Sequence, residues 1–501
     1  MNRRSIFRGL ILPLCLFIIL PTSSLSAAVS LAEERRMARQ ALFEVMDEIP
    51  MITDPDSVDY VRSLGAALAS HLQDDPFRYH FWLVDVQVMN AFALPAGYVF
   101  IFCGMFTALE SEDELAGIMA HEISHAHLHH VVRRMDMSSG AQKLSLAAML
   151  AGILLGALSG GALTSAAIMG SVAGSIQSQI AFTREFEEEA DGYGFLLMTG
   201  SGYSGQGMVD SFGRLWRQER LTGGGNIPEY LRTHPASAAR MERMESMLSR
   251  YPHGKSDGDN REFLRVKTRL QAMYLSIADA YDLFRSRVRQ NPADAMAQYG
   301  LALVEIRQGN YRQAEEIALN LEKIWPEGRP FIYKLRAAIC LLHGDFTAAG
   351  NFYQEVVRIR PHDREALSGL GESLLNLNRF QEAVDNLSAA LRLNPQDEAV
   401  RYNLGMALGK MGRSAEAGAQ LGLTFFQRKN DKAASYHLQM ASDKLSSGSE
   451  LDEQVKEALD RLNTSRNLSQ KDLDELWDKR IESDYNKVWR QVPPPPWSRE
   501  F

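Results

Sequence analysis

The chain has 501 residues, more than one hydrophobic core usually serves, so at least two domains are predicted. Apolar residues make up 45% of it and charged residues 23%, which excludes a chain that is disordered throughout. The formal net charge of −8 disfavours a basic, phosphate-binding surface, so no nucleic-acid partner is expected.

Residues 1–28 have the pattern of a secretory signal peptide. Arg3, Arg4 and Arg8 precede an apolar run at 10–20, and small residues follow where cleavage would occur. The apolar run is shorter than the ~18–20 residues that span a bilayer. A cleaved signal is therefore favoured over an uncleaved membrane anchor, and we expect the protein to be exported.

The three cysteines do not predict a disulfide framework. Cys15 lies in the signal, and Pro13-Leu14 before it are not the small residues of a lipoprotein signal. Cys103 and Cys340 fall in different predicted domains. A disulfide between them stays open, but two buried thiols are favoured.

A small sheet is predicted after an initial helical region at 30–80. Valines at alternating positions beyond residue 81 are typical of a strand, a turn signal follows at 95–97, and 98–103 is a second β-prone run. Together these patterns predict a β-hairpin over 81–103.

A helix is predicted to begin at Ser111. Ser111 and Glu114 have the spacing of a capping box, and Asp113 adds negative charge near the positive end of the helix dipole.

This helix carries the sequence His-Glu-Ile-Ser-His at 121–125. His121 and His125 are four residues apart, so both rings lie on one face at the spacing that a tetrahedral Zn²⁺ site requires. Glu122 faces the same opening, where a carboxylate can take a proton from water and pass it to a leaving amine.

The same motif also fits a solvated, histidine-rich helix. Three further histidines follow at once: His127, His129 and His130. His129 pairs with His125 at the right spacing, but Ala126 then stands in the place of the base, so His129 is excluded as a primary ligand.

Residues 144–177 carry no charged side chain and are rich in Gly, Ala and Ser. A membrane hairpin would make the protein an integral membrane peptidase. Each half of the segment is barely long enough to span a bilayer. Helices packed beside the active site, with peripheral membrane contact, are therefore favoured.

A second helix, predicted from about residue 184 to 198, supplies a third ligand. Glu187, Ala190, Asp191 and Gly194 share one stripe of this helix. The small residues allow the two helices to approach closely, so Glu187 can reach the metal. Asp191, one turn later, can accept the free ring N–H of a ligating histidine. Neighbouring Glu188 and Glu189 are expected to face solvent.

The C-terminal half repeats with a period of 34 residues. The residues that recur at this interval include turn residues, small residues and prolines: Gly344, Asn378 and Gly412; Ala349, Ala383 and Ala417; Pro361 and Pro395. This period resembles the tetratricopeptide repeat, which has two helices per unit. We count about four repeats between 290 and 430, with a weaker one near 263–292.

Three separated motifs resemble peptidase family M48, the Ste24-like gluzincins. They are the motif at 121–125, the Glu-x-x-x-Asp pattern at 187–191, and the segment Asn-Ala-Phe-Ala-Leu-Pro-Ala-Gly at 90–97, similar to the family's strand beside the active site. The family commonly has Gly where Ala96 stands. The resemblance covers residues 30–250.

The same resemblance draws attention to His234. Thr233-His234-Pro235, followed by Arg240, is similar to a His-Pro stretch that places a histidine near the zinc in these relatives. It implies either a fourth ligand that blocks the resting site or a stabiliser of the tetrahedral intermediate. A histidine that caps a turn before Pro235 is the third alternative.

The predicted fold is mostly α with a small β-sheet, a gluzincin-like metallopeptidase domain followed by a tetratricopeptide-repeat α-solenoid. The predicted divisions are a signal peptide at 1–28, the peptidase domain at 29–250, a linker at 251–262, the repeats at 263–440, and a helical segment with a proline-rich tail at 441–501. The predicted site has Glu122, Asp191 and His234 in catalysis, and His121, His125, Glu187 and His234 around one Zn²⁺ per chain.

The combination of export, peptidase and repeats resembles the family members that act in the periplasm in outer-membrane protein quality control. It implies a zinc endopeptidase, also chaperone-like, whose substrates are unfolded or misassembled outer-membrane proteins. It further implies contact with the β-barrel assembly machinery through the repeats. The alternative is a repeat-based interaction or chaperone protein with a largely silent metal site.

Overall fold

The computed structural model describes residues 30–45, 49–137, 183–221, 229–235, 237–251 and 260–464. The predicted signal peptide, most of the proline-rich division and the uncharged segment 144–177 lie outside the described residues. Within the described part of the chain, no helix is long and apolar enough to cross a membrane.

The N-terminal half combines helices with one small sheet. Its described helices are α1 Leu31–Val45, α2 Pro55–Ala69, α3 Cys103–Ala108, α4 Glu112–His127, α5 His130–Met137, α6 Arg184–Gly200, α7 Gly205–Leu221, α8 Glu229–Thr233 and α9 Ala238–Arg250. The strands are β1 His80–Val84, β2 Ala91–Leu94 and β3 Tyr98–Phe102.

Strand β3 is the centre of the sheet, whose order is β1-β3-β2. It is parallel to β1, with His80 opposite Tyr98, and antiparallel to β2, with Ala91 opposite Ile101. Every residue of β3 is buried, as expected of a central strand with a continuous apolar sequence.

The predicted hairpin over 81–103 is wrong in its first half. Only β2 and β3 form a hairpin, whereas β1 ends at Val84 and lies on the other side of β3. Of the alternating valines, Val84 ends β1, whereas Val86 and Val88 fall in the connection that crosses from one side of β3 to the other. The N–H of Val86 donates to the carbonyl of Val84 there. A parallel pair needs such a crossover, which period-two alternation does not reveal.

The turn between β2 and β3 explains the departure at Ala96. Ala96 and Gly97 both have left-handed backbones, with φ of 61° and 87°. A side chain at Gly97 would approach the carbonyl oxygen of Arg78 to 2.6 Å. Ala96 adopts a backbone conformation that favours glycine. This explains why the family that the sequence resembles commonly has Gly at this position.

Helices α4 and α6 pack closely, as predicted. Ser111 caps α4 by accepting the N–H of Glu114, although the Glu114 carboxylate bonds the N–H of Glu110 and not that of Ser111. A β-carbon at Gly194 of α6 would come within 3.1 Å of the backbone of Ala120. The small residue therefore brings the two helices together.

The C-terminal half is a series of antiparallel helix pairs. The described helices are α10 Arg261–Tyr274, α11 Ile277–Gln290, α12 Ala295–Arg307, α13 Tyr311–Ile324, α14 Arg329–Leu342, α15 Phe346–Ile359, α16 Arg364–Asn376, α17 Phe380–Leu393, α18 Glu398–Lys410, α19 Ser414–Gln427, α20 Asp431–Ser442 and α21 Glu450–Thr464. This confirms the predicted fold class.

The 34-residue period has a backbone cause. Gly309, Gly344, Asn378 and Gly412 join the two helices of successive units, and each has a positive φ between 61° and 80°. Glycine and asparagine tolerate this left-handed conformation after a helix.

Helix α10 begins inside the predicted linker at 251–262 and belongs to two packing environments. Its residues Phe263, Val266 and Leu270 are part of the apolar core of the N-terminal half. The apolar core of the N-terminal half therefore extends beyond the polar segment from which the linker was predicted. The other predicted domain boundaries stay predictions.

Candidate metal centre

The two histidines of the 121–125 motif lie on the buried face of α4. Their side chains are 0% and 1% exposed, and the Nε2 atoms of His121 and His125 are 3.0 Å apart. Such a short distance between two ring nitrogens is favourable when a cation or a shared proton lies between them.

Helix α6 brings a carboxylate to the same point. Glu187 Oε1 lies 3.4 Å from His125 Nε2, and Glu187 Oε2 lies 3.6 Å from His121 Nε2. Zn²⁺ bonds of about 2.0–2.1 Å in a tetrahedron separate neighbouring ligand atoms by about 3.3 Å. The three side chains therefore fit Zn²⁺ in both chemistry and spacing.

His234 joins this cluster from the segment after α8. Its Nδ1 lies 3.3 Å from His121 Nε2 and 2.9 Å from Glu187 Oε1. Ligand atoms of His121, His125, Glu187 and His234 all lie within 4.8 Å of one another. The structure thus places a fourth nitrogen where a tetrahedral site would have its remaining position.

Glu122 lies beside the cluster without being part of it. Its side chain is fully buried, and neither carboxylate oxygen has a hydrogen-bond partner among the described residues. Its Oε1 is 3.5 Å from His234 Nε2. A buried carboxylate without such partners fits a group that works on a ligand or a water molecule.

Behind the cluster, Asp191 and Arg240 hold the ligands in place. Asp191 Oδ1 lies 3.1 Å from His121 Nδ1, as the helical stripe predicts. Arg240 contacts both oxygens of Asp191 at 2.7 Å and Glu187 Oε2 at 2.7 Å. It also donates to the carbonyl of Pro235 at 2.8 Å, which ties the His234 segment to α6.

Family models match the two halves of the chain separately. Residues 55–248 match the model of peptidase family M48, while residues 276–329 and 371–412 match tetratricopeptide-repeat models. The chain contains an M48 peptidase domain. The metal-ligand cluster and Glu122 all lie within the matched residues.

Named relatives agree with this arrangement. The chain is 28% identical over 304 residues to the β-barrel assembly-enhancing protease of Escherichia coli K12, covering 59% of this chain and 60% of that protein. A putative β-barrel assembly-enhancing protease of Vibrio cholerae is 30% identical over 56% of this chain and 58% of its own length. The chain thus matches about three fifths of the length of these relatives.

A further relative is matched over most of its own length. The metalloprotease LoiP of Escherichia coli K12 is 27% identical over 225 residues, which are 44% of this chain and 83% of that protein.

Charges inside the M48 domain are balanced in pairs. Burial raises the pKa of Glu187, but the charges of His234 and Arg240 outweigh it and hold the pKa well below its usual range. Burial also opposes charge on His234, yet the carboxylates of Glu187 and Glu122 raise its pKa. Burial lowers the pKa of His125 well below its usual value, which favours the neutral ring that a metal needs.

The histidines after the motif do not form a solvated helix face. His127 Nδ1 is 2.6 Å from Asp75, and His129 Nδ1 is 2.7 Å from Glu34. His130 is fully buried and contacts both His125 and Glu189. Glu189 faces solvent as predicted, with its side chain 43% exposed, and it also pairs with His130 and Arg133.

Three contacts of the M48 domain were not predicted as part of the site. They involve His130, Tyr230 and Arg240. Arg240 lies in the first turn of α9, after the N-cap Ser237, and its closeness to His234 in sequence is the signal that could have identified it. Tyr230 stacks on the His234 ring with centroids 4.6 Å apart, but its distance from the motif in sequence leaves no local signal.

Proposed function

We propose that this protein is a zinc-dependent endopeptidase that acts on unfolded or misassembled outer-membrane proteins in the periplasm. The observation that carries the proposal is the meeting of Glu122 with His121, His125 and Glu187 in one buried place. An unused site would be expected to lack the base or one of the ligands, whereas here all are within reach of one another.

Each side chain has a distinct role in the proposed reaction. His121, His125 and Glu187 would hold Zn²⁺, which supplies Lewis acidity to the scissile carbonyl and lowers the pKa of a water molecule. Glu122 takes the proton from the attacking water and passes it to the leaving amine. Asp191 Oδ1, 3.1 Å from His121 Nδ1, would accept the N–H of this ring and so keep Nε2 free for the metal.

The sheet favours extended substrates. Strand β2 is at the end of the sheet order, so a polypeptide could add to it as a further strand. Just before β2, the N–H of Tyr230 in α8 donates to the carbonyl of Met89 at 3.2 Å. α8 and the histidine that follows it therefore lie beside the proposed path of the substrate.

His234 is proposed as a gate on the metal. Its Nδ1 occupies the fourth corner of the ligand cluster, where a substrate oxygen or water would otherwise bind. The alternative role, stabilising the tetrahedral intermediate, would need the ring to lie beside the open position and not in it. The observed distances favour the gate.

The repeats are proposed to bind partners of the peptidase. Stacked helix pairs leave grooves for peptides, and the names of the E. coli and V. cholerae relatives refer to β-barrel assembly. We therefore propose contact with the β-barrel assembly machinery, a chaperone-like role for the repeats, and peripheral membrane contact through 144–177. The signal-like residues 1–28 support export to the periplasm.

The second candidate is a repeat-based interaction or chaperone protein whose metal site is largely silent. The repeat helices support binding to partners under either proposal. The complete set of base and ligands favours the enzyme, and both functions can coexist in one chain.

Metal removal and restoration test the enzyme. The purified mature chain is treated with a chelator, dialysed, and assayed on an unfolded protein with and without one equivalent of Zn²⁺. Cleavage should disappear and return with Zn²⁺. Cleavage that survives complete metal removal, or metal-loaded protein without cleavage while partner binding persists, would favour the second candidate.

A further inference from the structure

The geometry points to His130 as a positioning residue for the metal ligand His125, with Glu189 as the anchor of His130. This inference rests on the metal centre proposed above. It concerns a contact that the 121–125 motif does not include, between two histidines five residues apart in the chain.

The end of α4 creates this contact. The helix ends at His127, Leu128 follows as its cap, and His129 has a left-handed backbone with φ of 55°. The chain then re-enters a helix at His130. This reversal turns the His130 side chain back towards α4, where its Nδ1 lies 3.0 Å from Nδ1 of His125.

The hydrogen-bond chain determines which nitrogens carry hydrogen. His130 Nε2 lies 3.1 Å from a carboxylate oxygen of Glu189, which can only accept a hydrogen bond when ionised, so His130 Nε2 donates. A neutral His130 then has a lone pair on Nδ1 and accepts from His125. His125 must therefore carry its hydrogen on Nδ1, which leaves the lone pair of Nε2 directed at the metal cluster.

Packing around His130 fixes the orientation of these hydrogen-bonded side chains. The His130 ring stacks on Phe186 with centroids 4.6 Å apart and an interplanar angle of 9°. The guanidinium of Arg133 lies over the same Phe186 ring and is 2.7 Å from Glu189. His130 itself is fully buried, whereas the Glu189 side chain is 43% exposed. These hydrogen-bonded side chains thus link the buried metal ligand His125 to Glu189 at the surface.

The two histidine ligands are consequently supported in different ways. His121 has a carboxylate, Asp191, directly behind it. On the side of His125 that faces away from the cluster, Nδ1 contacts His130, and His130 Nε2 in turn lies 3.1 Å from the Glu189 carboxylate. Outer partners of this kind typically affect metal affinity by about 10–100-fold, so His130 should contribute to zinc binding although it never touches the metal.

Two substitutions separate orientation from packing. His130→Phe keeps a flat ring on Phe186 but has no acceptor for the Nδ1–H of His125. His130→Asn loses the stacking but places an amide oxygen near the former Nδ1. Zinc affinity of the full mature chain is measured by competition with a chelator of known affinity, and the Co²⁺-loaded proteins are compared by visible absorption.

We expect His130→Phe to weaken zinc binding by about 10–100-fold and to alter the Co²⁺ spectrum. His130→Asn should keep most of the affinity. His127→Ala is the matched control, because it removes a histidine paired with an acid at the same helix end without touching a ligand. Wild-type affinity in His130→Phe, or a greater loss in His130→Asn than in His130→Phe, would overturn the inference.

Glu189→Ala tests the same series of hydrogen bonds from its solvent-exposed end. The inference can therefore still be tested if a His130 variant fails to fold. It should weaken zinc binding relative to Glu188→Ala, whose carboxylate pairs with Arg184 and Arg243 instead. Equal affinities of these two variants would also overturn the inference. Wild-type protein that binds no Zn²⁺ would refute the proposed metal centre itself, which is a separate result.

Discussion

At the scale of single residues, the site separates a group that moves protons from groups that hold a metal. Glu122 is buried beside the ligand cluster, while Glu187 is part of it. Both are glutamates on facing helices, yet only Glu187 has a guanidinium behind it, 2.7 Å away on Arg240. The two carboxylates can therefore be tested independently.

Glu122→Gln should abolish proteolysis while Zn²⁺ stays bound. The amide cannot accept a proton, and general acid–base catalysis typically contributes about 10²–10⁴-fold to a rate. Metal analysis and cleavage of an unfolded protein measure the two properties. Glu188→Gln, on the solvent side of α6, should cleave normally. Retained cleavage in Glu122→Gln would remove this residue as the base.

His234→Ala should raise basal cleavage, including self-cleavage, while Zn²⁺ stays bound. Removing the ring opens the fourth position without altering His121, His125 or Glu187. The double variant with Glu122→Gln should be inactive, which assigns the new activity to this site. A fall of about 10²–10³-fold would instead identify His234 as a stabiliser of the intermediate, and an unchanged rate would leave it as a turn residue.

At the scale of secondary-structure elements, α10 connects the two halves of the protein. It begins where the sequence predicts a linker, yet Phe263 is fully buried and stacks on Phe106 of α3, with centroids 6.0 Å apart. Further along α10, Arg269 contacts Asp54 and Glu365. One helix thus contributes both to the peptidase core and to a polar contact with the repeats.

Phe263→Ala should destabilise the peptidase half, although the residue follows its predicted end. Removing a buried phenylalanine typically costs about 3–5 kcal/mol of the free energy of unfolding. Hydrogen exchange should show loss of protection in α3. Phe284→Ala, equally buried but in the core of the first repeats, should spare α3. Unchanged protection of α3 in Phe263→Ala would contradict the assignment of α10 to the peptidase core.

At the scale of the whole molecule, buried charges join the repeats to the peptidase half. Lys334 of α14 is 1% exposed and lies 2.6 Å from Asp56 of α2 and 3.2 Å from Asp363 of the repeats. Burial opposes the charge of Lys334, but Asp56, Glu365 and Asp363 raise its pKa above the usual value. The acidic start of α2 is thereby held against the repeat helices.

Lys334→Met should weaken this contact. It removes the cation that Asp56 and Asp363 share, although Asp56 keeps Arg265 at 3.0 Å and Asp363 keeps Arg360 at 3.7 Å. Breaking a buried pair costs at most about 3–5 kcal/mol when nothing replaces the lost charge, so the loss here should be smaller. Limited proteolysis and hydrogen exchange of α2 report the loosening. Arg413→Met is the control, because its pair with Glu416 is exposed and worth at most about 1 kcal/mol. Equal protection of α2 in both variants would contradict the role of Lys334.

Local chemistry was enough to predict much of this protein. The period of 34 follows from turn residues that must be left-handed, the start of α4 follows from its cap at Ser111, and the approach of α6 to α4 follows from Gly194. Helical spacing alone also brought His121 together with His125, and Glu187 in line with Asp191. The cap at Ser111 and the two helical spacings depend on residues within a few positions of one another, and the period of 34 repeats a local turn.

Other features were decided only by the folded chain. Three of them depend on segments that are distant in sequence: the pairing of His130 with Glu189, the crossover that places β1 on the far side of β3, and the position of α10 in the peptidase core. Periodicity reports which face of an element is apolar, but not which element covers that face. These contacts form because buried polar groups and apolar faces must find partners, and only the complete packing determines which partners are within reach.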